Sequence, residues 1–181
     1  MGIVQESIQN QLYEEIKQHI LKKRYKMGDQ LNPKILAAQY NVSPMPVRDA
    51  LLHLTRQGLV VNRARVGFYV ATYTASEIKD LMEVRKMHEM FCLNQYFDLT
   101  DHEKIKKIHQ CMSAHLHKDK ALFDRCDFQF HDLLINTSKN RFLNMQYAQI
   151  KELLQFLVYY DAEHDEEALA DHEKIVNALL Q

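Results

Sequence analysis

Apolar residues return every four positions at the start of the chain, at Val4, Ile8, Leu12, Ile16 and Ile20. That spacing predicts an amphipathic first helix, ending near Lys22-Lys23-Arg24, where positive charge suits a helix C-terminus. Tyr25 to Asn32 reads as a connection. A short apolar helix follows from Ile35 to Tyr40, and Asn41-Val42 turns the chain, asparagine accepting the left-handed conformation. Ser43 is placed as the N-cap of the next helix, its hydroxyl able to accept an orphan amide proton. Pro44 and Pro46 fall in the first turn, where a missing N–H is tolerated. Val47, Ala50, Leu51 and Leu54 then recur at helical spacing, and Gly58 closes the helix. Arg48, Asp49, His53 and Arg56 lie on the opposite side. Leu59 to Val61 and Phe68 to Ala71 read as two short strands around the tip Asn62-Arg63-Ala64-Arg65-Val66-Gly67.

The pattern changes after a linker at Thr72-Tyr73-Thr74-Ala75. Ser76 is placed as the cap of a long helix, and helices are expected near 76–98, 100–117, 119–137, 140–162 and 165–180. No glycine follows Gly67 and no proline follows Pro46, so nothing breaks these segments internally. The expected fold is mainly α: an N-terminal winged helix-turn-helix over 1–72, then an all-α helical bundle over 76–181.

Charge sharpens this division. Residues 1–74 carry ten Lys/Arg against five Asp/Glu, whereas 75–181 carry thirteen against nineteen. A basic front and an acidic back suit a protein whose first module meets phosphates. Absence of an eighteen-residue apolar window argues against a membrane span. The N-terminus lacks the charged and apolar regions of a signal peptide, and Cys92, Cys111 and Cys126 form no paired framework. A reducing cytoplasm is the expected setting.

A helix opened by a capped turn, with Arg48 on its exposed N-terminal half, suits insertion into the major groove. Arg63 and Arg65 at the hairpin tip suit phosphate or minor-groove contact. The alternative is an ordinary helix pair with a solvated charged face.

Leu36-Ala37, Val42-Ser43, Pro46-Val47-Arg48-Asp49-Ala50-Leu51, Leu54, Gly58-Leu59-Val60 and Gly67-Phe68-x-Val70 together resemble the winged-helix signature of GntR-type bacterial transcription regulators. The resemblance covers most of residues 8–71. It implies DNA contact through Arg48 and Lys34, and a DNA-binding set of Lys34, Ser43, Met45, Arg48, Arg63, Arg65 and Gly67. The family usually has arginine after the cap serine; here it is Pro44, which removes one base-reading group.

From about residue 76 onward, the chain resembles the helical effector domain of the FadR branch of that family (the FCD type). The matching pieces are Glu83-Val84-Arg85 with Glu89, Asp127-Phe128-Gln129-Phe130-His131, Ser138-x-Asn140, and His172 with Ile175 and Ala178. That domain normally has one further helix with another histidine; this chain stops at Gln181.

Asp127 and His131, four apart, share a helix face with Phe123 and Leu134, and His172 lies among Leu169, Ile175 and Val176. Inward carboxylate and imidazole groups need a partner. A hydrogen-bonded pair and a satisfied core histidine would meet that need; so would a divalent metal such as zinc, nickel, manganese or iron. The resemblance implies the metal, with Asp127, His131 and His172 as three ligands and water, a bound carboxylate or His164 as the fourth. It also implies a small carboxylate effector at Arg85, His88 and Asn140, although Arg85 could simply pair with Glu89.

The expected function is a DNA-binding transcription regulator, a repressor, acting as a homodimer on a two-fold symmetric double-stranded operator. Its dimer interface is expected from leftover apolar faces such as Phe142 to Leu157. Two other classes fit part of the pattern: a metal-dependent hydrolase-like enzyme, and an architectural DNA binder that ignores ligands.

Overall fold

The computed structural model describes residues 7–158 and 165–179. Val4 and His164, used in the expectations above, lie outside the described residues. The chain divides into two compact units, Met1–Ala75 and Ser76–Gln181.

The first unit contains α1 (Ile8–Leu21), β1 (Gln30–Leu31), α2 (Pro33–Tyr40), α3 (Pro44–Arg56), β2 (Val60–Arg63) and β3 (Gly67–Val70). Ser7 caps α1 by accepting from the Asn10 amide. The core forms where the apolar stripes meet: Ile16 and Ile20 from α1 and Val47, Ala50, Leu51 and Leu54 from α3 are fully buried. Burying each of the larger side chains contributes roughly 1.5–3 kcal/mol.

Several boundaries shift for identifiable reasons. Helix α2 starts at Pro33 rather than Ile35, because the Asn32 side chain accepts from the Lys34 amide and proline suits the first position. Ile35 is consequently exposed, while Leu36 and Ala37 carry the buried face. Asn41 takes the expected left-handed conformation (φ 52°). The connection at 25–32 contains a strand that the periodicity missed. Gln30 and Leu31 pair antiparallel with Tyr69 and Phe68, making a three-stranded sheet in the order β1-β3-β2.

Ser43 sits at the N-cap of α3, but its hydroxyl makes no cap hydrogen bond. The third position of α3 is Pro46, which has no N–H to offer, so a cap partner expected from residue type is missing. At the other end Gly58 (φ 79°) donates to the Thr55 carbonyl at 3.1 Å, and Leu59 donates to the Leu54 carbonyl at 3.1 Å. Those two bonds define a Schellman closure, which needs a left-handed residue at Gly58.

The second unit contains α4 (Ala75–Tyr96), one 3₁₀ turn (Phe97–Leu99), α5 (His102–His115), α6 (Lys120–Asn136), α7 (Arg141–Val158) and α8 (Asp165–Leu179). Helix α4 begins at Ala75, so Thr74 rather than Ser76 precedes it. Asp101 and Asp119 cap α5 and α6. One apolar cluster joins Ile105 and Met112 of α5 to Phe123, Phe130 and Leu134 of α6 and Val176 of α8. A second joins Cys92 of α4, Ile135 of α6, and Tyr147 and Leu154 of α7. The expected leftover face of α7 is mostly used inside: Tyr147, Leu154, Phe156 and Leu157 are buried, and Phe142 and Met145 are exposed. Exposed apolar side chains also line α4, at Val84, Met87, Met90 and Phe91.

Gly58→Ala places a Cβ in the left-handed region, where the penalty for an L-residue is roughly 1–2 kcal/mol. The expected outcome is an earlier urea midpoint for the first unit by that amount, read by far-UV circular dichroism; an unchanged midpoint would show that the closure tolerates a side chain.

Candidate functional sites: a nucleic-acid interface and a buried metal-ligand cluster

In the first unit, burial of Val47, Ala50, Leu51 and Leu54 fixes the orientation of α3 and leaves Met45, Arg48 and Arg56 exposed. Met45 and Arg48 share a shallow groove with Asn32, Pro33 and Lys34 from the start of α2, and Pro44 completes it. Ser43 and Lys34 are also exposed. His53 is not on this face: its ring stacks on Tyr13 of α1 with centroids 4.2 Å apart.

The hairpin tip is shorter than expected, because Asn62 and Arg63 belong to β2 and pair with Phe68 and Gly67. Val66 donates to the Arg63 carbonyl at 3.0 Å, closing a turn that puts Arg65 in the left-handed region at φ 62°. Arginine is uncommon there, where glycine or asparagine would be less strained. The Arg63 guanidinium lies 4.5 Å from the Tyr69 ring centroid, a cation–π contact that limits its freedom. Gly67 is half-buried at φ 134°, where a Cβ would meet the Gln30 side chain at 3.4 Å, so the glycine serves the backbone of the wing.

In the second unit, Asp127, His131 and His172 come together, each buried, with one ligand atom apiece lying within 4.8 Å of the others. The His131 and His172 Nε2 atoms are 2.8 Å apart, and the Asp127 Oδ1 lies 3.6 Å from the first and 3.7 Å from the second. The His172 ring stacks on Phe130 at 4.3 Å. Helix α4 supplies what the sequence pattern understated. Glu89, expected only as a partner for Arg85, sits 2.7 Å from the His131 Nδ1 and 3.5 Å from the Arg85 Nε. The 2.7 Å approach is that of an ion pair, not an aligned hydrogen bond, since neither atom has a hydrogen-bond partner.

Electrostatics define the protonation pattern. Burial raises the Asp127 pKa, but His131 and His172 more than offset this and hold it at about 2. Burial and Arg85 oppose a charge on His131, yet Glu89 and Asp127 push it above the usual histidine value. Burial, reinforced by His131, drives His172 down to about 3. At 2.8 Å the two Nε2 atoms are within hydrogen-bond reach and share one proton. The Nδ1 of His172 is buried and, among the described residues, has no hydrogen-bond partner.

This donor set fits a divalent metal. Two imidazole nitrogens and a carboxylate oxygen converge, and Glu89 faces the other nitrogen of His131, as carboxylates do behind metal-bound histidines. Tetrahedral nitrogen ligands at a metal distance of about 2.0–2.1 Å stand roughly 3.3 Å apart, close to the separations here. Bound metal would take the place of the shared proton.

Of the residues expected at the effector, Arg85 reaches this cluster, its charge acting on Asp127, His131, His172 and Tyr147. His88 is buried, donates from Nδ1 to the Val84 carbonyl at 2.9 Å, and has its ring 6.0 Å from Tyr147. Asn140 serves as a helix cap: it is exposed, and its Oδ1 accepts from the Phe142 and Leu143 amides at the start of α7. The Tyr147 hydroxyl, which the sequence pattern did not single out, is buried and has no hydrogen-bond partner among the described residues. Its position between Gln146 and Gln149 on α7 gave no signal.

The comparisons with known proteins agree with this arrangement. The family model for bacterial regulatory proteins of the gntR family matches residues 8–70, and that for the FCD domain matches residues 80–181. The uncharacterized HTH-type transcriptional regulator YdhC of Bacillus subtilis (strain 168) is 27% identical over 173 residues, covering 91% of this chain and 77% of YdhC. The gluconate operon transcriptional repressor of Bacillus licheniformis is 24% identical, covering 90% of this chain and 69% of that protein. A GntR transcriptional regulator structure from Rhodococcus sp. RHA1 has a TM-score of 0.80 at 18% identity, covering 96% of this chain and 86% of that one, which supports the fold. The chain belongs to the GntR family of bacterial regulatory proteins, with a winged helix-turn-helix followed by an FCD domain. It is a DNA-binding transcription regulator and not an enzyme. Among the described residues no helix is long and apolar enough to cross a membrane.

The protonation pattern has a testable sign. A His172 pKa held below its unfolded value means the unfolded chain binds more protons between about pH 6.5 and 3, so stability falls as pH drops through that window. His131 acts oppositely: its contribution is complete below the unfolded value and is lost as pH rises through its raised folded value. In chelator, the melting midpoint of wild type should fall steeply below pH 6.5. His172→Gln should flatten that limb, and an identical slope in both proteins would contradict the assignment.

Proposed function

We propose that the chain is a cytoplasmic, homodimeric repressor that grips a two-fold symmetric operator and releases it when a small carboxylate binds the helical unit. The observation that carries the DNA-binding half is the outward face of α3, where Arg48 and Met45 share a groove with Lys34. Arg48 contacts base edges or adjacent phosphates. Lys34 and Ser43 hold the backbone, and Arg63 and Arg65 hold it from the wing. An arginine at the left-handed position 65, where glycine or asparagine would be less strained, supports a use for its charge. One recognition helix covers half a site, so a second copy is required for an operator of ordinary length. The exposed apolar side chains of α4, with Phe142 and Met145, are the surfaces available for that association.

In the helical unit Asp127, His131 and His172 hold a divalent metal (zinc, nickel, manganese or iron), which would supply a Lewis-acidic anchor for an anionic ligand. Arg85 adds a fixed positive charge beside it, and His88 and Tyr147 border the same region. Repression is supported by the name of the gluconate operon relative. The ligand acts by favouring the dimer conformations that fit DNA poorly, a population shift.

Asp127→Ala and His131→Ala should each abolish stoichiometric metal by elemental analysis and remove thermal shifts with small carboxylates; wild-type metal content in both variants would refute the site. Separately, Arg65→Ala should lower the slope of log affinity against log salt by about one, while Arg48→Ala should weaken the selected operator by roughly tenfold, about 1.4 kcal/mol. Unchanged gel retardation in both would remove α3 and the wing from the interface.

A further inference from the structure

Met45 carries an inference of its own, which rests on the DNA-binding reading of α3. It is 69% exposed, although it stands at the second position of a helix whose core residues Val47, Ala50, Leu51 and Leu54 are completely buried. On an α-helix a residue two before Val47 points away from that core. The neighbours on the same outward stripe are Arg48 and Asp49, three and four positions on, and Leu52, seven on. Among these, Met45 is the most forward and is apolar.

The first turn of α3 is also poor in hydrogen-bond donors. A helix N-terminus usually offers free amides to a phosphate. Here Pro44 and Pro46 have none, and the Ser43 hydroxyl is not engaged in capping. Pro44, Met45 and Pro46 therefore present a largely apolar tip, flanked in the groove by the cations Lys34 and Arg48. Among groups in the major groove, only the C5-methyl of thymine offers an apolar contact at a base edge. Met45, unbranched and adaptable, can follow such a methyl without a fixed polar geometry.

We infer that Met45 is a specificity-determining residue that reads a thymine methyl in each operator half-site. The geometry also limits where that thymine lies. Residues three or four apart on a helix are separated by about 5–6 Å, and base pairs by about 3.4 Å. The thymine thus falls within one or two base pairs of the base contacted by Arg48. Burial of one methyl contributes about fourfold in affinity per half-site.

The test uses the full chain and a random duplex library. Selected operators are remade with deoxyuridine replacing thymine one position at a time, which deletes only the methyl. The expected result is a loss of about fourfold per half-site at one thymine near the Arg48 contact, with Met45→Ala binding both versions equally. Met45→Leu should keep the discrimination, and because Met45 is exposed both variants should melt with wild type. Equal wild-type affinity for thymine and deoxyuridine at every position, or discrimination that survives in Met45→Ala, overturns the inference while leaving DNA binding intact. Failure to enrich any sequence, with no retardation at low salt, overturns both.

Discussion

Polar groups removed from water must find partners, and in the helical unit that demand converges on His131. Its two ring nitrogens face Glu89 on one side and His172 with Asp127 on the other, inside a bundle otherwise filled by Phe130, Leu134 and Val176. Three helices, α4, α6 and α8, each contribute a member, so the cluster fixes their register as much as the apolar contacts do. An apolar replacement would satisfy packing alone. The polar set leaves the Nδ1 of His172 buried and, among the described residues, unpartnered, a penalty of roughly 1–3 kcal/mol.

The first unit solves a different problem. Its core is continuous, and the closure at Gly58 hands α3 directly to β2 without a loop that could let the helix rotate. The outward set is therefore defined by the inward one. The wing follows the same logic at smaller scale, with Arg63 stacked on Tyr69 while the turn projects Arg65 from a strained backbone.

Much of this was legible because the periodicities are strong. The helices of the second unit lie within a few residues of their expected bounds, since no glycine or proline interrupts the pattern and Asp101 and Asp119 mark starts. Strand β1 was not legible: two residues cannot display a period of two, and only long-range pairing with β3 defines it. The Ser43 cap failed on a neighbour's chemistry: the third helical position, whose amide would donate to the hydroxyl, is Pro46, which has no N–H. Asp127, His131 and His172 were readable as inward polar groups and from a family resemblance. The role of Glu89 was hidden, because spacing within α4 shows Arg85 and cannot show a histidine on α6. The cap formed by Asn140 follows from its own sequence context, two residues before Phe142.

Glu89 is shared between a guanidinium and an imidazole, and this gives the helical unit a built-in competition. Were Arg85 to turn to another anion, the Glu89 carboxylate would be left to His131 alone, and the ring would become a more electron-rich donor. Both participants of that exchange ride on α4, the helix that begins where the winged unit ends in the chain.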